Sequence, residues 1–269
     1  MILLAIPGVL AAIYYLSPQS FQQSLVLDHT KPRIHNFWTN ALAHEHRPED
    51  GHLIGNSVGY LLLVFPCWIL YRYRDQERKF WTGLAIILTI GPFIVSASSY
   101  ITFYEILGLL IENDRGFSGV VSALAGFLLV SIVFVFAEEQ EESVAILSTG
   151  LYFGCVMLGL GVLTRRITAI GLGLLVLIVI FAGTRTRYVA RAAELADWGR
   201  EHPPLSVVLV IAILVSVLGF AASLPADITS GDGLTNIVAH GTGFVFGMLV
   251  AGSFGYRKRQ SSAEGSAAA

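Results

Sequence analysis

Three short motifs hold the side chains with chemistry to offer. In Gly51-His52-Leu53-Ile54-Gly55-Asn56, His52 and Asn56 are four apart, so on a helix they share one face, one turn apart. They are either solvated groups at a helix end or donors aimed at a cavity or a neighbouring helix. In Gly116-Phe117-Ser118-Gly119, Ser118 is either a plain helix N-cap or a nucleophile. The first turn of a helix has N–H groups without intrahelical partners, and its dipole favours negative charge. An oxyanion formed at Ser118 could therefore be held by Ser118's own N–H, with Gly116 and Gly119 letting a second backbone approach. In Ala239-His240-Gly241-Thr242-Gly243-Phe244-Val245-Phe246-Gly247, Gly243 and Gly247 form a GxxxG face that lets two membrane helices pack closely. His240, one turn before Gly243, is carried by that packing against a neighbour, as a structural histidine or as a base.

Taken together the motifs supply complementary parts. A serine nucleophile needs a base for its proton, and the tetrahedral intermediate needs donors for its oxyanion. Ser118, His240 and the His52/Asn56 pair fill those roles if all lie at one depth, so the elements that carry them decide the matter.

Composition identifies the elements. Of 269 residues, 54% are hydrophobic and only 13% charged, leaving too little polar surface to cover a water-soluble globule. The high hydrophobicity also excludes disorder. Seventeen basic against nineteen acidic residues give a net charge of −2, with no basic field for nucleic acid. About 20 apolar residues cross a bilayer core. That length predicts an all-α, polytopic bundle of about eight spans: 2–16, 53–71, 80–101, 117–136, 144–163, 167–183, 205–224 and 234–255. The first is short and ends at Ser17-Pro18. It lacks the basic start and small-residue cleavage site of a signal peptide, so it reads as a retained helix, with a start that could lie upstream. Cys67 and Cys155 fall in apolar runs and read as buried residues, not a disulfide framework.

The Lys and Arg of short loops set orientation. Arg72, Arg74, Arg78 and Lys79, then Arg185, Arg187, Arg191 and Arg200, then Arg257, Lys258 and Arg259 fall on one side, which is then cytoplasmic. Arg165-Arg166 runs mildly against this. The remaining long outer loop, 17–51, mixes apolar and charged residues and reads as interfacial, with Phe37-Trp38 as an anchor at headgroup level. Residues 1–259 form one transmembrane domain, and 260–269 a disordered tail. In this topology the second, fourth and last spans run the same way, so all three motifs fall in one outer layer.

In this arrangement the chain resembles the rhomboid intramembrane serine proteases. The resemblance rests on HxxxN in the second span, GxSG opening the fourth and AHxxGxxxG in the last; the Phe37-Trp38-Thr39-Asn40-Ala41-Leu42-Ala43-His44 stretch is similar to the family's first-loop segment. It implies that Ser118 is the nucleophile and His240 the general base, with His52, Asn56 and the Ser118 N–H forming the oxyanion hole. It implies helix packing at Gly116, Gly119, Gly243 and Gly247, and neither metal nor cofactor. It further implies a single-pass transmembrane protein as substrate, cut in or near its membrane segment, and a plasma-membrane enzyme opening to the outer side. Two departures stand out. Three spans lie between Ser118 and His240, where the family has one, which reads as a six-helix core plus an inserted hairpin; either 144–163 or 205–224 is then the substrate-gating helix. Ser122 stands where some members have an aromatic stacked on the catalytic histidine.

Two other functions fit parts of the sequence. A catalytically silent relative would bind membrane helices without cutting them. A transporter or channel is suggested by Ser96, Ser98, Ser99 and Glu105 along the third span and by the many glycines, without the half-helix pair or intramembrane carboxylate pair expected of one. His29, His35, His44 and His46 of the first loop read as solvated; His44-Glu45-His46 has too few further ligands for a metal, and His44 could help order the loop over the site. His202 reads as a helix boundary.

Overall fold

The computed structural model describes residues 2–44, 51–112, 114–139, 197, 199–222 and 231–254. Among them the chain is predominantly helical, without a strand; the nearest approach to one is an isolated antiparallel bridge, Leu27 with Asp114. The elements are α1 (Ala5–Leu16), α2 (Gln19–Leu25), α3 (Asn36–Thr39), α4 (Gly51–Tyr73), α5 (Glu77–Thr89), α6 (Gly91–Tyr100), α7 (Ser118–Glu139), α8 (Pro203–Ala222) and α9 (Gly231–Ser253). A π-helical turn, Ile101–Ile106, prolongs α6. Gly51–Tyr73, Glu77–Ile106 and Ser118–Val135 are long and apolar enough to cross a membrane. Ile2–Leu16, Pro203–Val215 and Val238–Ser253 are shorter apolar helices. The expected spans at 144–163 and 167–183, the charges between them, and the tail lie outside the described residues.

Helix α7 is apolar on every side, as suits a helix enclosed by others, and Phe117, Val120, Leu124, Phe127, Leu128 and Ile132 are all buried. Helix α4 is one-sided. Ile54, Val58, Leu62, Phe65 and Ile69 form an exposed stripe at helical spacing. Its opposite face packs on α7, and α8 lies along both.

The contacts also fix direction. Along α4 and α7, Gly59 faces Val121, Tyr71 stacks on Phe127 and Arg74 covers Phe134, so the two helices are parallel. Along α7 and α9, Gly243 meets Gly119 and Gly247 meets Ala123, again in parallel. The α5–α6 segment runs the other way: Ser98 Oγ hydrogen-bonds Thr242 Oγ1 at 2.7 Å, Gly91 faces Phe246, and Lys79 Nζ donates to the Phe254 carbonyl at 3.2 Å. That last contact sets a cation against the carbonyl end of α9, where the helix dipole favours it. The basic turn Arg72–Lys79 therefore lies at the far end of the bundle from the N-termini of α4 and α7.

Over its described residues, 17–44, the first loop packs on the helices. Gln22 is buried, and its amide donates to the Tyr14 and Ser17 carbonyls at the end of α1 (3.0 and 3.2 Å). The expected Phe37-Trp38 anchor grips protein. Trp38 Nε1 donates to the Thr89 carbonyl at the α5–α6 break (2.9 Å), and the Trp38 ring stacks on Phe93 with centroids 4.5 Å apart. The expectation of solvated histidines holds for His35, which is exposed, and fails for His29 and His44, which are buried. One ring nitrogen of each has a partner, His29 Nε2 with Asp114 Oδ2 at 3.2 Å and His44 Nε2 with Asn56 Nδ2 at 3.0 Å, while each Nδ1 is buried without one among the described residues. His46 lies outside the described residues.

Candidate active site

Ser118 is the first residue of α7. The capping position belongs to Phe117, whose carbonyl accepts from Val120 N (3.0 Å) and Val121 N (3.1 Å). Ser118 is thus no N-cap, and its own N–H is one of the first-turn donors without an intrahelical partner. The residue is half-buried. Gly116, two residues earlier, has φ +129°, a conformation that L side chains rarely adopt. A methyl at Gly116 would stand 3.1 Å from His52 Cε1 and 4.0 Å from Ser118 Oγ. The glycine therefore lets the His52 ring and the Ser118 hydroxyl share one small space.

His52 is exposed, on the open side of that space, whereas Asn56, one turn deeper on α4, is buried. The Asn56 carboxamide does not stand free. It donates to His44 of the first loop, whose ring packs edge-on against His52 with centroids 5.4 Å apart.

His240 is buried at 3% exposure, and neither ring nitrogen has a hydrogen-bond partner among the described residues. It is not hydrogen-bonded to Ser118. Its place in the bundle is nonetheless fixed. Gly243, one turn along α9, lies on the Gly119 carbonyl, and Ala239 lines the same pocket as Ser118. The GxxxG face performs as its spacing predicts: a Cβ on Gly243 would collide with the Gly119 oxygen, and one on Gly247 with the Ala123 oxygen. Ser122 and Ser99 also bury hydroxyls without a partner among the described residues.

The pocket beside Ser118 holds ≈ 20 Å³ of room for solvent, lined by Asn40, Ser96, Gly116 and Ala239 among others. That suffices for one water. Sequence reasoning passed over Asn40 as a site residue. Its carbonyl accepts from Gly116 N at 3.0 Å, and its Oδ1 accepts from Ser96 Oγ at 3.0 Å. One side chain and its backbone thus tie the first loop to α6 and to the turn before Ser118. The available signal was an asparagine inside the loop segment already linked to the HxxxN helix, but no spacing ties position 40 to 116. Among the described residues no three His, Cys, Asp or Glu side chains group as metal ligands.

Helix-end amides, a half-buried serine, an imidazole one turn from the closest helix contact and a water-sized pocket thus lie at one end of three parallel helices. No protein-family model, curated protein or solved structure matches the chain.

Proposed function

We propose that the chain is an intramembrane serine endopeptidase of the rhomboid type, a multi-pass protein of about eight spans in the plasma membrane with its site opening outward. The observation that carries the reading is the parallel course of α4, α7 and α9, which sets His52, Ser118 and the His240 turn at one level. The outward opening is supported by the Arg72–Lys79 turn at the opposite end, since basic loops stay cytoplasmic.

In this mechanism His240 takes the proton of Ser118 Oγ as that oxygen attacks the scissile carbonyl. The oxyanion is held by the Ser118 N–H, the Asn56 amide and His52. His240 then protonates the leaving amine, and a water from the Ser118 pocket, deprotonated by His240, hydrolyses the acyl-enzyme. The substrate is a single-pass membrane protein whose helix unwinds locally, because a helix keeps its carbonyls hydrogen-bonded. The Ser118–His240 hydrogen bond, absent in the free protein, forms on substrate binding, as catalytic contacts commonly tighten in the reacting complex.

The test is cleavage of a transmembrane reporter in liposomes. Ser118→Ala and His240→Ala should each lower kcat by ~10⁴-fold or more, with helicity unchanged by circular dichroism; cleavage by either purified variant at the parent rate removes the reading. The unpartnered His240 ring favours one alternative, a silent relative that binds membrane helices. A fluorophosphonate that fails to label Ser118 while a reporter helix still binds would establish that alternative.

A further inference from the structure

We propose that His44 is a positioning residue for the Asn56 carboxamide, holding one of its two N–H bonds so that the other faces the reacting carbonyl oxygen. The inference rests on the proteolytic reading and adds to it a residue outside the HxxxN, GxSG and AHxxGxxxG motifs.

A carboxamide has nearly the same shape either way round, so only its hydrogen bonds decide whether it presents N–H or C=O. An oxyanion needs the N–H; the reverse orientation would repel it. Asn56 is buried on α4, and the partner in reach is His44 Nε2 at 3.0 Å. Nε2 can accept only if the imidazole is neutral with its proton on Nδ1. Burial of the ring favours the neutral form. With Nε2 accepting, Asn56 Nδ2 is directed at His44 and its second N–H remains for the site.

His44 is placed by its surroundings. Its ring packs edge-on against His52, Ala43 N closes the preceding turn onto the Asn40 carbonyl at 3.1 Å, and its Nδ1 is buried without a partner among the described residues. The Asn40 carbonyl also receives Gly116 N. The first loop therefore sets the amide on α4 and the turn before Ser118 through residues four apart, Asn40 and His44. A positioned donor of this kind needs its supporting shell to keep its geometry.

The experiment uses the full chain in liposomes with a transmembrane reporter. His44→Phe, which keeps the ring but removes the acceptor, should lower kcat by about 10–100-fold, short of the ~10²–10³ lost with an entire oxyanion donor. KM should stay within about twofold, and fluorophosphonate labelling of Ser118 should persist. His44→Gln, which can offer an oxygen acceptor, should recover a substantial part of the loss. His44→Phe combined with Asn56→Ala should be no slower than Asn56→Ala alone, because the two act as one unit. Parent-like cleavage by His44→Phe, or losses that multiply in the double variant, overturn the proposal while Ser118→Ala remains inactive and the protease reading stands. If Ser118→Ala cleaves like the parent, that reading falls and takes this one with it. A measurement independent of turnover is ¹⁵N NMR of histidine-labelled protein: His44 should carry its proton on Nδ1 at neutral pH, and a proton on Nε2 overturns the assignment.

Discussion

Gly243 of α9 lies directly on the carbonyl oxygen of Gly119 in the first turn of α7. The contact is one helical turn from His240 and one residue from Ser118, so the spacing of the two helices sets how near the imidazole can come to the hydroxyl. Any side chain at 243 must push the helices apart.

Gly243→Ala should therefore lower thermal stability, by ~1–3 kcal/mol as overpacking typically costs, and reduce cleavage more than tenfold. Gly241 is the internal control, two residues away on the same helix with nothing within 4 Å of an added Cβ. Gly241→Ala should be neutral or stabilising, because alanine is the better helix former. Melting curves in detergent and initial rates for the pair check this; equal effects at 241 and 243 contradict the close-packing account.

Gly116 makes a second glycine prediction on different grounds. Its φ of +129° is strained for alanine, and the new methyl would press on His52 Cε1. Gly116→Ala should cost ~1–3 kcal/mol of backbone strain and lower kcat more than KM. Gly108 also has positive φ, +63°, but nothing stands within 4 Å of it. Gly108→Asn should be tolerated, since asparagine adopts that region readily. Steady-state kinetics on the two variants distinguish backbone strain at the site from strain in general.

The described apolar helices and the parallel course of α4, α7 and α9 were legible because a membrane span announces itself by length and apolarity, and because His52/Asn56 and Gly243/Gly247 carry helical spacing within single segments. The first loop was not. His29 and Asp114 are 85 positions apart, both lie in irregular segments, and neither period nor composition links them. A histidine in a polar loop reads as solvated until its partner is known. The same holds for Asn40, whose two contacts reach α6 and the turn before Ser118. Asn56 was legible as a donor but not as one held by His44, since the loop between them has no fixed geometry in sequence.

The His29–Asp114 pair gives a third prediction. The side-chain contact at 3.2 Å accompanies a reciprocal backbone pair, Leu27 N to Asp114 O at 3.1 Å and Asp114 N to Leu27 O at 3.0 Å. His29 N also donates to the Ile111 carbonyl at 2.9 Å. Asp114→Ala should loosen this clamp, so that the Leu27 and His29 amides exchange hydrogen at least tenfold faster and cleavage falls. Asp114→Asn keeps an acceptor oxygen and should stay near the parent. A double-mutant cycle with His29→Ala should return a coupling of ~0.5–3 kcal/mol; zero coupling would mean that the backbone bridge alone holds the loops.

Acid should act on the loop through His44. Burial is the largest influence and holds its pKa down to about 4 from an ordinary 6.5, with the His52 and Arg115 charges pushing the same way and the Leu42 backbone opposing. Folded protein therefore binds fewer protons here than unfolded protein between those two values. The resulting stability is fully present above pH 6.5 and is lost as pH falls towards 4, by up to ~3 kcal/mol for such a difference. His44→Gln has no proton to gain, so its stability should be flatter over that window than the parent's. Unfolding free energies at pH 7.5, 6 and 5 in bicelles check the slope. Near pH 4 the parent ring also turns from acceptor to donor at Nε2 and releases Asn56 Nδ2, so its support of cleavage should fall only there, below most of the window in which stability is lost. A variant curve as steep as the parent's would assign the acid sensitivity to another group.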